Sequence, residues 1–156
     1  MFNLSSLFNI ANFYVLPFWG LMIFLPRWGI TKKVMESFLL FLPLIGLYIY
    51  LFVTSLDPQS AEIWSNPDLT ALTSLFSQET VIFAGWVHFL LLDLFVGRYI
   101  YLAGDQNKVW TTHSLILCLF AGPLGLLSHI LTCALKNQFF SSTPPISGEA
   151  TGVLKL

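Results

Sequence analysis

Apolar residues run along the chain in four long windows, at 5–26, 34–56, 80–101 and 114–134, separated by shorter polar stretches. Each window is close to the roughly 20 residues a helix needs to cross the hydrocarbon of a bilayer. The pattern predicts an all-α fold, an integral membrane four-helix bundle forming a single domain over 1–136. A flexible tail is expected over 137–156, where Ser, Thr, Pro and Gly interrupt the apolar character. Between the second and third windows, "PDLTALTSLFS" sets Leu69, Leu72, Leu75 and Phe76 at helical spacing, which predicts a short amphipathic helix on the membrane interface. Trp28, Trp64 and Trp110 fall near predicted span ends, where amphipathic rings prefer to sit. Pro17 and Pro43 fall inside spans and predict kinks, and Pro123 sits within "GPLG" in the fourth.

Composition supports this reading. Of 156 residues, 56% are hydrophobic and 10% charged, against about 25% charged in soluble domains. A net charge of -1 leaves no basic face for nucleic acid. Arg27, Lys32, Lys33, Arg98 and Lys108 fall on the side of the first and third loops, and Lys136 and Lys155 on the other, so the first side is predicted to face the cytoplasm or a stroma. Cys118 and Cys133, on one helix, would lie roughly 22 Å apart, too far to bridge. The N-terminus carries no basic leader or small-residue cleavage site, so the first apolar run is expected to stay as an anchor in a bacterial or locally encoded protein.

The third window reads "GWVHFLLLDLFVGRYIY" over 85–101 and holds three groups that lipid rejects. On a regular helix Glu79, Trp86, Asp93 and Gly97 share a stripe, while His88 and Arg98 each point about 140° away from Asp93. Each polar group therefore needs its own partner. His88 and Asp93 lie within roughly 4 Å of the bilayer centre and Arg98 roughly 11 Å from it, where it can snorkel. A carboxylate at that depth costs at least about 2.5–3.5 kcal/mol and must be protonated, paired or wetted, which makes it a functional candidate. If the fourth window is one helix, Cys118, Gly122, Gly125 and His129 fall on one small-residue stripe suited to close packing. Depth then predicts one polar layer of Asn12, His88 and His129, and a second of Glu36, Arg98 and His113 with Glu36 and Arg98 paired.

"GWVHFLLLDLFVGRYIY" and "HSLILCLFAGPLGLLSHILT" together resemble the paired signatures of a small membrane-protein family, the neoxanthin-synthase-like or abscisic-acid-deficient-four-like proteins. The resemblance runs to about Lys136, and the family's polar positions carry over as His88, Asp93, Arg98, His113 and His129, with Gly122, Pro123 and Gly125. The family's plant member is associated with making neoxanthin from violaxanthin. The resemblance implies a carotenoid or other apolar isoprenoid as partner, within the lipid bilayer, in the thylakoid or plasma membrane of a cyanobacterium-like organism. It also implies the chemistry of an isomerase that converts an epoxide to an allenic alcohol. Such a step needs an acid at the epoxide oxygen and a base on the polyene, without metal or redox cofactor. His88, Asp93 and His129 are the expected catalytic groups. Asn12, Trp86, Arg98, His113, Gly122 and Gly125 are expected to line the substrate site.

Two other readings stay open on sequence alone. The chain fits a non-catalytic pigment- or lipid-binding protein that joins a larger membrane complex or a second copy of itself. His88 and His129, at similar predicted depth, also suit a haem iron. No phosphate loop, CxxC, HExxH or Gly-x-Ser-x-Gly motif is present.

Overall fold

The computed structural model describes residues 3–140, except the side chains of Gln59, Phe139 and Phe140. The helices, in chain order, are α1 Leu4–Phe24, α2 Gly29–Glu36, α3 Leu42–Thr54, α4 Pro58–Ser65, α5 Leu69–Leu75, α6 Glu79–Asn107, α7 Thr112–Phe120 and α8 Gly122–Phe140, with a 3-10 turn at Leu39–Phe41 before α3. Both α1 and α6 are long and apolar enough to cross a membrane, and α2 with α3 would make a third such segment bent by 70°. Large apolar side chains cover the outside, among them Phe13 (70% exposed), Phe24 (80%), Phe89 (61%) and Phe120 (80%). A surface of that kind is stable against lipid and not against water, which makes this an all-α integral membrane protein.

The long helix α6 is the axis on which the rest is arranged. Next to it α1 runs parallel: Phe8 meets Phe83 and Trp86, Trp19 covers Gly97, and Tyr101 donates to the Pro26 carbonyl at 2.8 Å. Antiparallel to it, the 3-10 turn and α3 together pair Phe41 with Phe95 and Tyr48 with His88. The shared core holds Val15, Trp19, Met22, Leu44, Val87, Leu94, Leu115 and Cys118.

Two of the four predicted spans are not single helices. The second is interrupted after Glu36, and Pro43 stands in the first turn of α3. There its missing donor costs nothing, because first-turn N–H groups have no helical partner. Pro17 does lie within α1, which continues past it. The fourth window breaks at Ala121, whose backbone is extended at φ -160° and ψ 99°, and Pro123 falls in the first turn of α8. Inside a continuous helix that proline would remove one bond and collide with the carbonyl of the preceding turn.

After the break at Ala121 the chain turns back on itself. His113 meets Thr132 at 2.9 Å, and the Ser114 and Ser128 hydroxyls meet at 3.0 Å. Residues 14 and 19 positions apart come into contact this way only if α7 and α8 form a hairpin. It lies against the C-terminal half of α6, with the Gly122 turn at the level of Asp93 and Lys136 donating to the carbonyls of Asn107 and Lys108. Hence Lys136 lies at the same end as Arg27, Lys32, Lys33 and Lys108, not opposite them as a fourth straight span requires. Cys118 and Cys133 likewise sit on different helices.

The amphipathic stretch forms α5, with Leu75 buried and Leu69 82% exposed. A helix not expected from the pattern, α4, precedes it. Asp57 caps α4 by accepting from the Ser60 N–H at 2.6 Å, and Asp68 caps α5 through the N–H groups of Thr70 and Ala71. Residues 137–140, expected at the start of a flexible tail, belong to α8; residues 141–156, the rest of that expected tail, lie outside those described.

Candidate functional site

The polar groups of α6 meet separate neighbours, as their angles predict, and two of those neighbours are helix ends. Asp93 Oδ1 accepts from the Gly122 N–H at 3.2 Å, at the start of α8. A carboxylate there satisfies a donor that the broken helix leaves unpaired and faces the positive end of the helix dipole. Gly122 has no room for a Cβ, because the Asp93 carboxyl occupies that space. On another side of α6, Arg98 Nε donates to the Met35 carbonyl and a terminal nitrogen to the Glu36 carbonyl at 3.3 Å. Its guanidinium stacks 4.3 Å from the Phe38 ring. Arg98 thus caps the C-terminal end of α2, where a cation is favoured. The expected Glu36–Arg98 ion pair is replaced by these bonds to main-chain oxygens. Among the described residues the salt bridge is Lys32–Asp105, at 2.8 Å.

The two expected polar layers do not form. Because the hairpin returns alongside α6, His129 packs against Tyr99, with ring centroids 6.3 Å apart. That is eleven residues, or roughly 16 Å, along α6 from His88. His129 is 3% exposed, near the Cys133 sulfur at 3.6 Å, with Nδ1 unpartnered. A haem iron shared by His88 and His129 is excluded by that separation, since axial ligands must meet at one metal. Asn12 accepts from Trp86 Nε1 at 3.0 Å, about 200° around α6 from His88. His113 sits in the hairpin, bonded to Thr132 and 5.1 Å from the Trp110 ring. Ser114, Ser128 and Thr132, which had not stood out in the sequence, bind the hairpin together, as hydroxyls do between helices in lipid.

His88 alone of the three expected catalytic residues opens onto a substantial apolar cleft. This cleft, of about 270 Å³, lies between α3, α4, the end of α5 and the first turns of α6. Rings build it: Tyr48 stacks on Phe52 at 6.0 Å, Phe52 meets Trp64 at 6.4 Å, and Phe76 and Phe89 complete the walls. Tyr48 and His88, whose ring centroids are 5.7 Å apart, are its proton-carrying side chains besides the Ser55 hydroxyl. Gly85 in its wall leaves the Phe76 ring 3.5 Å from where a Cβ would stand. Asp93, His129, Asn12, Trp86, Arg98, His113, Gly122 and Gly125 do not line this cleft.

An apolar helical scaffold with an aromatic cleft and charged side chains that cap helix ends defines an integral membrane protein. Its sequence matches the family model described as ABA DEFICIENT 4-like over residues 6–129, and the chain belongs to that family. It is 38% identical over 139 residues to the protein named ABA DEFICIENT 4, chloroplastic, of Arabidopsis thaliana. That alignment covers 86% of this chain and 63% of the plant protein, so the chain spans less than two thirds of its relative's length. No solved structure matches it.

Proposed function

We propose that this protein acts in carotenoid metabolism, binding a cyclic end group of a carotenoid or similar isoprenoid in the aromatic cleft and isomerising it by proton transfer at Tyr48 and His88. The observation that carries this reading is the juxtaposition of those two side chains in a cavity walled mainly by apolar and aromatic side chains. Family membership, with its link to epoxy-carotenoids, supplies the substrate class. In the reaction one side chain delivers a proton to the epoxide oxygen and the C–O bond on the polyene side breaks. The other takes a proton from the neighbouring polyene carbon, whose C–H electrons become the new double bond of the allene. Atoms and electrons balance without an oxidant or reductant. Water is kept away by Phe52, Trp64, Phe76 and Phe89, which protects the protonated, opening epoxide from hydrolysis.

In this reading Asp93 and Arg98 are helix caps that hold the scaffold, and His129 is a packed core residue. The chain crosses the membrane three times, through α1, the bent α2–α3 pair and α6, and the α7–α8 hairpin enters and leaves on one side. That side carries Arg27, Lys32, Lys33, Lys108 and Lys136, a bias that supports a cytoplasmic or stromal orientation. Helix α5 then rests on the opposite interface, and the plant relative's chloroplast designation supports a photosynthetic membrane as the setting.

Expression in a host that makes the epoxy-carotenoid tests the reading directly. His88→Gln and Tyr48→Phe are expected each to lower the allenic product by about a hundredfold or more, in line with the contribution of a single acid or base, at unchanged protein level. A wild-type pigment chromatogram from both variants would remove the cleft as the reaction site and favour a non-catalytic pigment-handling role.

A further inference from the structure

A second cavity, of about 380 Å³, lies at the opposite end of α6 from the aromatic cleft. Arg27, Tyr101, Lys108, Trp110, Thr111 and Thr112 contribute to its lining. The side chains of Arg27 and Lys108 have no hydrogen-bond or ion-pair partner among the described residues. Asp105 also lines it, but Lys32 lies 2.8 Å from that carboxylate and offsets its charge. Helix α7 begins at this wall. Its first intrahelical bond goes from Leu115 N–H to Thr111, and Thr111 makes no side-chain cap, so the N–H groups of Thr112, His113 and Ser114 have no helical acceptor. Thr111 itself is 8% exposed, and its hydroxyl has no hydrogen-bond partner among the described residues. Two unpaired cations, an uncapped helix start and the free hydroxyl of a largely buried threonine together describe a receptor for an anion with several acceptor oxygens. The cavity's position supplies the rest. It lies beside the exposed Trp110 ring, 72% accessible, where an interfacial tryptophan meets headgroups.

We propose that this cavity binds a phosphate group at the basic face of the protein, with Arg27 and Lys108 supplying charge and Thr111 and the start of α7 supplying hydrogen bonds. The phosphate can come from an anionic phospholipid headgroup or from free phosphate, and both offer the same oxygens.

The test uses the full chain in detergent micelles, with native mass spectrometry counting retained lipid and a thermal shift reporting binding. Dioleoyl-phosphatidylglycerol, dioleoyl-phosphatidylcholine and inorganic phosphate are compared. Phosphatidylglycerol is expected to bind at least tenfold more tightly than phosphatidylcholine. The Arg27→Gln/Lys108→Gln variant should lose at least tenfold in affinity for it, and Thr111→Val several-fold. Should the double variant fail to fold, the single substitutions and Thr111→Val carry the test. Lys33→Gln is the control, because Lys33 is an exposed cation of the same face that lies outside this cavity; it should bind as wild type. Inorganic phosphate binding without phosphatidylglycerol binding assigns the same site to the free ion. Binding of neither, equal binding of both lipids, or an equal loss in Lys33→Gln overturns the proposal.

Discussion

Gly125→Val should yield a protein that no longer survives gentle heating in detergent, the largest loss expected from any single substitution in the chain. A Cβ built at Gly125 falls 2.5 Å from the Cys118 Cα and 2.6 Å from its amide nitrogen. These are main-chain atoms, so no rotamer change relieves the clash. Helices α7 and α8 would have to separate, which breaks the Ser114–Ser128 and His113–Thr132 contacts. Overpacking in a core costs typically about 1–3 kcal/mol, and a collision with backbone belongs at or above the top of that range. Gly20→Ala is the matched control, since nothing lies within 4 Å of a Cβ there. Alanine in a helix interior is favoured over glycine by roughly 0.5–1 kcal/mol, so this variant should match or exceed wild type. Fluorescence-detected gel filtration after a temperature series separates the two; indistinguishable curves would mean that α7 and α8 do not pack at this point.

Asp93→Leu should release the hairpin while making α6 a better membrane helix. Leucine is favoured over aspartate at mid-span by about 3 kcal/mol on insertion scales. The Gly122 N–H, however, loses its acceptor, and an orphaned buried donor costs about 1–3 kcal/mol. Loss of the negative charge at the start of α8 adds up to about 2 kcal/mol. Asp93→Asn keeps an acceptor oxygen at the same place and should lose only the charge contribution. Cys118 provides the readout, because it is 0% exposed and lies between Asp93 and Gly125. In a Cys133→Ser background, a small apolar maleimide should label Cys118 at least tenfold faster in Asp93→Leu than in wild type, and much less so in Asp93→Asn. Equal labelling in all three would show that the carboxyl does not hold the hairpin. An Asp93→Asn protein that stays closed yet loses pigment conversion would instead assign Asp93 to the chemistry.

The windows of apolar residues were enough to find the lipid-facing segments, and the 140° offset between Asp93 and Arg98 was enough to send them to different partners. Continuity was harder to read. An apolar window reports that a segment is comfortable in lipid but not that it is one helix; the break at Ala121 is as hydrophobic as its surroundings, and Glu36 and Ser37 interrupt the second window too briefly to mark its break. Pro43 and Pro123 were the available signs, since each stands in the first turn of a new helix. Reading Pro123 as an interior residue placed Cys118 and Gly125 side by side on one helix, whereas they face each other across two. It also reversed the direction in which His129 travels and put Lys136 at the wrong end. The "DP" that opens α4 was a legible cap and proline pair. Ser114, Ser128 and Thr132 carry weak individual signals because hydroxyls are common in apolar helices. The cleft joins Tyr48 to His88 across forty residues of chain, a relation that periodicity along one segment does not contain.

The α7–α8 hairpin also sets an order of events during synthesis. Residues 122–136 are synthesised after α6, so until they arrive the newborn chain holds the carboxyl of Asp93 without the amide that later meets it. A product that stops short of Gly122 stays in that condition permanently. It would keep, in the middle of a greasy segment, a polar group with no counterpart, at the cost that the finished hairpin relieves.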